Sequence, residues 1–124
     1  SVIVDRANRK DAYSAFLKAG KKLKTGINMC IFPEGGIPKE DVFLKKFKNG
    51  SFRLAIEQNV KIVPITLADN KSMFPSDYFK GRPGIARVKV HKAIDPNRLA
   101  EKSIKNLNTS VYNTIFEQLK KYEK

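Results

Sequence analysis

The sequence is short of cysteine, histidine and acid. A single cysteine, Cys30, excludes an intrachain disulfide; its place inside an apolar run fits a reducing compartment or a buried thiol, and we expect it in the core. One histidine, His91, far in sequence from that cysteine, supplies no metal-ligand spacing, so neither a metal nor a cofactor is expected. No apolar run approaches the ~20 residues that cross a bilayer, and the amino-terminus has no signal-peptide pattern, so the chain reads as soluble or peripheral. There is no Gly-x-Ser-x-Gly elbow, no internal repeat and no low-complexity segment. Only 12 acidic residues stand against 25 Lys and Arg, a formal net charge of +13 in 124 residues. That balance favours phosphates, anionic headgroups or nucleic acid as partners, and the length suits one domain.

The patterning predicts a strand at Val2 to Val4, then a helix carrying Ala12, Phe16, Ala19 and Leu23 and ending at Gly26. Asn28 to Phe32 reads as a second strand stopped by Pro33. A helix from about Ser51 to Gln58 closes at Asn59, and Lys61 to Leu67 reads as a third strand in which Pro64 marks an irregular or unpaired position. A long loop from Ala68 to Gly84, a strand from Ile85 to His91, a turn at Ile94 to Pro96 and a closing helix follow. The last helix has Ile104, Leu107, Val111, Ile115, Leu119 and Tyr122 on one face. This alternation predicts an α/β fold with a largely parallel sheet flanked by helices. Asp5-Arg6, Pro33-Glu34-Gly35 and the loop from Ala68 would then share the rim where such sheets bind ligands. "SVIVDR" opens without a cap or polar leader, as if cut from a longer chain.

Several residues can carry chemistry. Arg6 can grip a phosphate through two parallel hydrogen bonds, or form a surface ion pair with Asp5 or Asp11. Glu34 lies between a proline and two glycines whose backbone a ligand could approach, or it is a turn glutamate facing solvent. Lys48 precedes Asn49-Gly50-Ser51 at a helix start that favours anions, or it belongs with Lys45 and Lys46 to a solvated basic run. His91, beside Lys92, reads as a strand-edge or partly buried residue rather than a general base. Phe74, Tyr78 and Phe79 with Lys80 and Arg82 could stack on nucleic acid, cover a pocket or form a membrane-facing lip; no nucleic-acid signature accompanies them.

Three ordered segments resemble the glycerolipid acyltransferase family: Val2-Ile3-Val4-Asp5-Arg6, Phe32-Pro33-Glu34-Gly35 and Ile62-Val63-Pro64-Ile65. Phe47 to Glu57 is similar to the helix that family places between the last two. The resemblance implies an acyltransferase moving a fatty acyl group from acyl-CoA or acyl carrier protein to lysophosphatidate, at the cytoplasmic face of a membrane. It implies that Arg6 binds the acceptor phosphate, that Glu34 and Gly35 shape the glycerol-phosphate site, that Lys48 supports it and that Pro64 shapes the pocket wall. Nucleic acid is then not a partner. The family's His-x4-Asp block, whose His is the general base, should precede Asp5 and does not occur here. Residues 1–124 are therefore expected to be the carboxyl-terminal part of one acyltransferase domain, truncated at its amino-terminus, with no catalytic residue and no turnover of its own. Gly36-Ile37-Pro38 stands where the family usually has Thr-Arg-Ser, which leaves the acceptor open, glycerol-3-phosphate included; Lys39 could replace the missing arginine. The competing class is a non-catalytic basic module for anionic lipid or nucleic acid.

Overall fold

The computed structural model describes residues 8–36, 38–39, 41–75, 77–99 and 103–123. The expected Val2 to Val4 strand and Arg6 lie outside the described residues. Helix α1, Arg9–Lys24, begins earlier than its apolar spacing because Asn8 caps it: the Asn8 side-chain oxygen accepts from Lys10 N at 3.0 Å. Lys21, Lys22 and Lys24 occupy its last turn, where the helix dipole favours cations, and Gly26 follows at φ +85°. Ala15, Ala19 and Gly20 are the buried residues of α1. Gly20 faces helix α2, Gly50–Gln58, where a Cβ would sit 2.9 Å from the flexible end of Gln58 at Nε2.

Helix α2 ends as its sequence predicts, on Asn59 in the left-handed region at φ 52°, ψ 47°. Its Phe52 and Ala55 meet Phe47, Leu107 and Val111 in the core, with Phe52 1% and Leu107 0% exposed. Burying each such side chain contributes about 1.5–3 kcal/mol. Leu107 and Val111 belong to α4, Ile104–Tyr122, which is capped by the Ser103 hydroxyl accepting from Asn106 N at 3.1 Å. Ile104 and Ile115 pack on the same core.

The described sheet differs from expectation. Strands β1, Ile65–Leu67, and β2, Val88–Val90, pair antiparallel, with Ile65 opposite Val90 and Leu67 opposite Val88. The reason is that the intervening chain supplies only a four-residue helix, α3 (Asn70–Met73), and a 3-10 turn at Tyr78–Lys80; a parallel return needs a crossover of a dozen or more residues, usually helical. Pro64 sits where its missing N–H is tolerated: its carbonyl accepts from His91 N at 2.9 Å, and the ladder resumes only at the Ile62–Ile94 bridge. One extra residue is taken up between His91 and Ile94, a bulge. Ile94 thus continues the pairing instead of opening a turn, and a 3-10 turn at Pro96–Arg98 follows.

The 28–32 segment joins no ladder among the described residues. Without a hydrogen-bonded neighbour its apolar side chains have no sheet to pack on, so Ile31 and Phe32 are exposed. For the same reason Cys30 is exposed and not core. Between this segment and β1 lies an apolar hollow of about 1400 Å³, bordered by Ile31, Phe32, Phe43, Ile65 and Leu67.

Candidate functional site

The two sequence breaks meet. Pro33 to Gly36 forms a tight turn in which Gly35 N donates to Phe32 O at 3.2 Å and Gly35 adopts φ +68°, a conformation glycine reaches without strain. Lys48 N donates to Pro33 O at 2.8 Å, which fastens the start of α2 to the turn. The Lys48 side chain then lies across Gly35. A Cβ there would be 2.7 Å from Lys48 Cε and 3.0 Å from Nζ. Lys45 does the same at Gly36, its Nζ 3.6 Å from where a Cβ would stand, while Lys45 N donates to Glu34 Oε2 at 3.2 Å. The result is bare backbone flanked by two ammonium groups, next to the positive end of a helix: an arrangement that attracts an anion with several oxygens.

Helix α4 holds this assembly from behind. Asn108 Nδ2 donates to Phe47 O at 3.1 Å and to Asn49 Oδ1 at 2.8 Å, and Tyr112 OH donates to Leu44 O at 3.2 Å. Sequence reasoning missed Lys45, Asn108 and Tyr112. Lys45 was indistinguishable from its basic neighbours. Asn108 had a signal: an amide between the buried Leu107 and Val111 on an apolar helix face needs a partner.

The structure brings Glu34, Gly35 and Lys48 together. Pro64 is buried and lines the hollow, as do Pro33 and Glu34. Arg6 lies outside the described residues. His91 is half-buried at the end of β2, its Nε2 2.8 Å from the Oγ1 of the fully buried Thr66. Burial, then Lys89 and Lys121, hold the imidazole below its ordinary value. Asp95, the acid nearest after it in sequence, accepts from Asn97 N, so His91 and Asp95 form no dyad.

Beyond β1, Asp69 and Arg87 form a two-pronged ion pair: Nη2 to Oδ1 at 2.7 Å and Nε to Oδ2 at 2.9 Å, with Arg87 N also donating to Oδ2 at 2.7 Å. These bonds from the Arg87 side chain, then its backbone, hold the Asp69 carboxyl down to about 2. Arg87 is raised in turn, first by Asp69, and its Nη1 donates to Tyr122 O at 3.2 Å.

Helices packed with a small sheet, and an anion-attracting glycine turn fastened to a helix start, are what these features define. The family model for acyltransferases matches residues 1–68, over half of the chain, and the chain belongs to the acyltransferase family. It is 34% identical over 101 residues to a 1-acyl-sn-glycerol-3-phosphate acyltransferase of Chlamydomonas reinhardtii, covering 81% of this chain and 30% of that protein. It is 28% identical over 118 residues to a 1-acyl-sn-glycerol-3-phosphate acyltransferase of Borreliella burgdorferi, covering 95% and 47%. The chain therefore spans less than half the length of these curated relatives. The fold is that of the 1-acyl-sn-glycerophosphate (LPA) acyltransferase PlsC from Thermotoga maritima, with a TM-score of 0.78 at 24% identity, over 95% of this chain and 46% of that one.

Proposed function

We propose that this chain is the acceptor-binding part of a lysophosphatidate acyltransferase of phospholipid synthesis, working at the cytoplasmic face of a membrane. The observation that carries the proposal is the Gly35-Gly36 backbone under the Lys48 and Lys45 side chains. There the acceptor phosphate would approach the uncovered glycine backbone and take ammonium donors from Lys48 and Lys45, with Arg6 adding a guanidinium. The Glu34 carboxylate, half-buried and bonded to Lys45 N, would orient the glycerol hydroxyls. The hollow that Glu34 and Pro64 border offers apolar surface to an acyl chain.

The reaction joins the acceptor hydroxyl oxygen to the thioester carbonyl of acyl-CoA or acyl carrier protein, and the thiol leaves with a proton. A base must take the hydroxyl proton. His91 is directed onto Thr66 and serves β2, so the base belongs outside these 124 residues and the chain alone turns nothing over. In this reading Asn28 to Phe32 pairs within a larger, largely parallel sheet.

The test is acyl transfer to lysophosphatidate by the longest form of the protein, with both donors, beside the 124-residue chain and a Lys48→Ala variant. Transfer by the longer form alone, weakened by Lys48→Ala, supports the reading. Transfer to glycerol-3-phosphate but not lysophosphatidate would move the acceptor. No transfer to any lysolipid, with vesicle binding indifferent to Lys48, would favour a basic lipid-binding module, which the net charge of +13 also fits.

A further inference from the structure

Between β1 and β2 the chain makes an excursion that is locked at its neck. Ala68 N donates to Arg87 O at 3.1 Å, Asp69 is gripped by Arg87, and Arg82 N reaches Met73 O at 3.3 Å part of the way along. Beyond that rung the loop turns its large apolar side chains to water: Phe74 is 73% exposed and Phe79 92%, with Ile85 at 88% near the return. A tethered loop that presents three such side chains outward forgoes their burial, which marks an interaction surface. The surrounding charge selects the partner. From residue 70 to 86 the basic residues are Lys71, Lys80 and Arg82, against Asp77 alone. Phe74 and Pro75 also border the apolar hollow.

We propose that the loop 74–85 is a membrane-contacting lip whose partner is an anionic bilayer surface. Phe74, Phe79 and Ile85 enter the boundary between headgroups and acyl chains, and Lys80 and Arg82 face the headgroup phosphates. Ile85 has no ring to stack on a base, and the pairing of apolar tips with cations suits a lipid interface better than single-stranded nucleic acid. Because Phe74 and Pro75 belong to both the lip and the hollow, a lipid tail could pass from bilayer to hollow without crossing water. Only that last step rests on the acyltransferase reading.

The chain contains no tryptophan, so one placed in the loop is a clean reporter. Phe79→Trp and, as a control on α1, Tyr13→Trp, itself 62% exposed, are titrated with vesicles of phosphatidylglycerol and phosphatidylcholine holding neither lysolipid nor thioester. Position 79 should shift to the blue and be quenched by lipids brominated on the acyl chain, while position 13 does neither. Phe79→Asp should reduce vesicle co-sedimentation at least fivefold with an unchanged circular dichroism spectrum. Absence of vesicle binding, or binding without a shift at 79, overturns the proposal. Neither outcome bears on acyl transfer, which is measured separately with the longest form of the protein on a water-soluble short-chain lysophosphatidate and should survive Phe79→Asp there.

Discussion

Replacing Gly35 by alanine tests the site at its narrowest point. Two effects follow, and they separate. At φ +68° an alanine costs about 1–2 kcal/mol of stability whatever surrounds it. Its Cβ would also stand 2.7 Å from Lys48 Cε, so the lysine must leave the turn; because the clashing atoms are the far end of a flexible side chain, that move adds little to the stability loss. It does remove the ammonium from the anion's path. A hydrogen bond to a charged group contributes about 1.5–3 kcal/mol, so Gly35→Ala and Lys48→Ala should each weaken binding of a phosphorylated acceptor roughly 10- to 150-fold. The double variant should bind no more weakly than Lys48→Ala alone, yet retain the stability loss of Gly35→Ala. Calorimetric titration and urea midpoints on the four proteins give both quantities. Additive losses of affinity would refute the geometry, since Gly35 would then act without Lys48.

Other consequences are equally direct. Leu107→Ala should destabilise the chain by about 2–5 kcal/mol, read by urea unfolding, because the side chain is wholly buried against α2. Thr66→Val should lower stability by about 1–3 kcal/mol by leaving His91 without its hydroxyl partner, again by urea midpoint. Because the folded state holds His91 below its usual 6.5, that contribution to stability is complete above pH 6.5 and declines as pH falls through the lower folded value; His91→Gln should flatten that part of a melting curve series from pH 8 to 5. Asp69, held at about 2 against an ordinary 3.8, keeps its full contribution above pH 3.8 and loses it progressively as pH falls from there through 2. Arg87→Lys, which cannot make the two-pronged contact, should leave the 70–86 loop more open to limited proteolysis at neutral pH.

The helices were legible because their signals are local. Asn59 closes α2, Gly26 follows α1, and the apolar stripe of α4 falls where its spacing puts it. The sheet was less so. An apolar run such as Asn28 to Phe32 states that a strand is permitted, but a ladder needs a neighbour, and the described residues supply none to it. The antiparallel direction of β1 and β2 follows from the segment after Leu67, whose described helix is a single turn, and from Asp69 meeting Arg87 across the neck. At the site, Glu34, Gly35 and Lys48 could be named from glycine and proline chemistry. The contact of Lys45 with Glu34 could not, since three lysines within four residues look alike until one backbone N–H is fixed.

The support that Asn108 and Tyr112 give to residues 44–49 has a consequence for the order in which the molecule assembles during synthesis. Phe47 and its carbonyl partner Asn108 are 61 residues apart, and Leu44 and Tyr112 are 68 apart. At roughly 5–20 residues per second, a ribosome that has made the lysine-bearing segment takes about 3–14 s to make the side chains that hold it. Until then the glycine turn has its own short-range bonds but no backing. The anion site is thus translated well before the helix that makes it rigid, and a nascent chain halted before Tyr112 would carry its lysines unmounted.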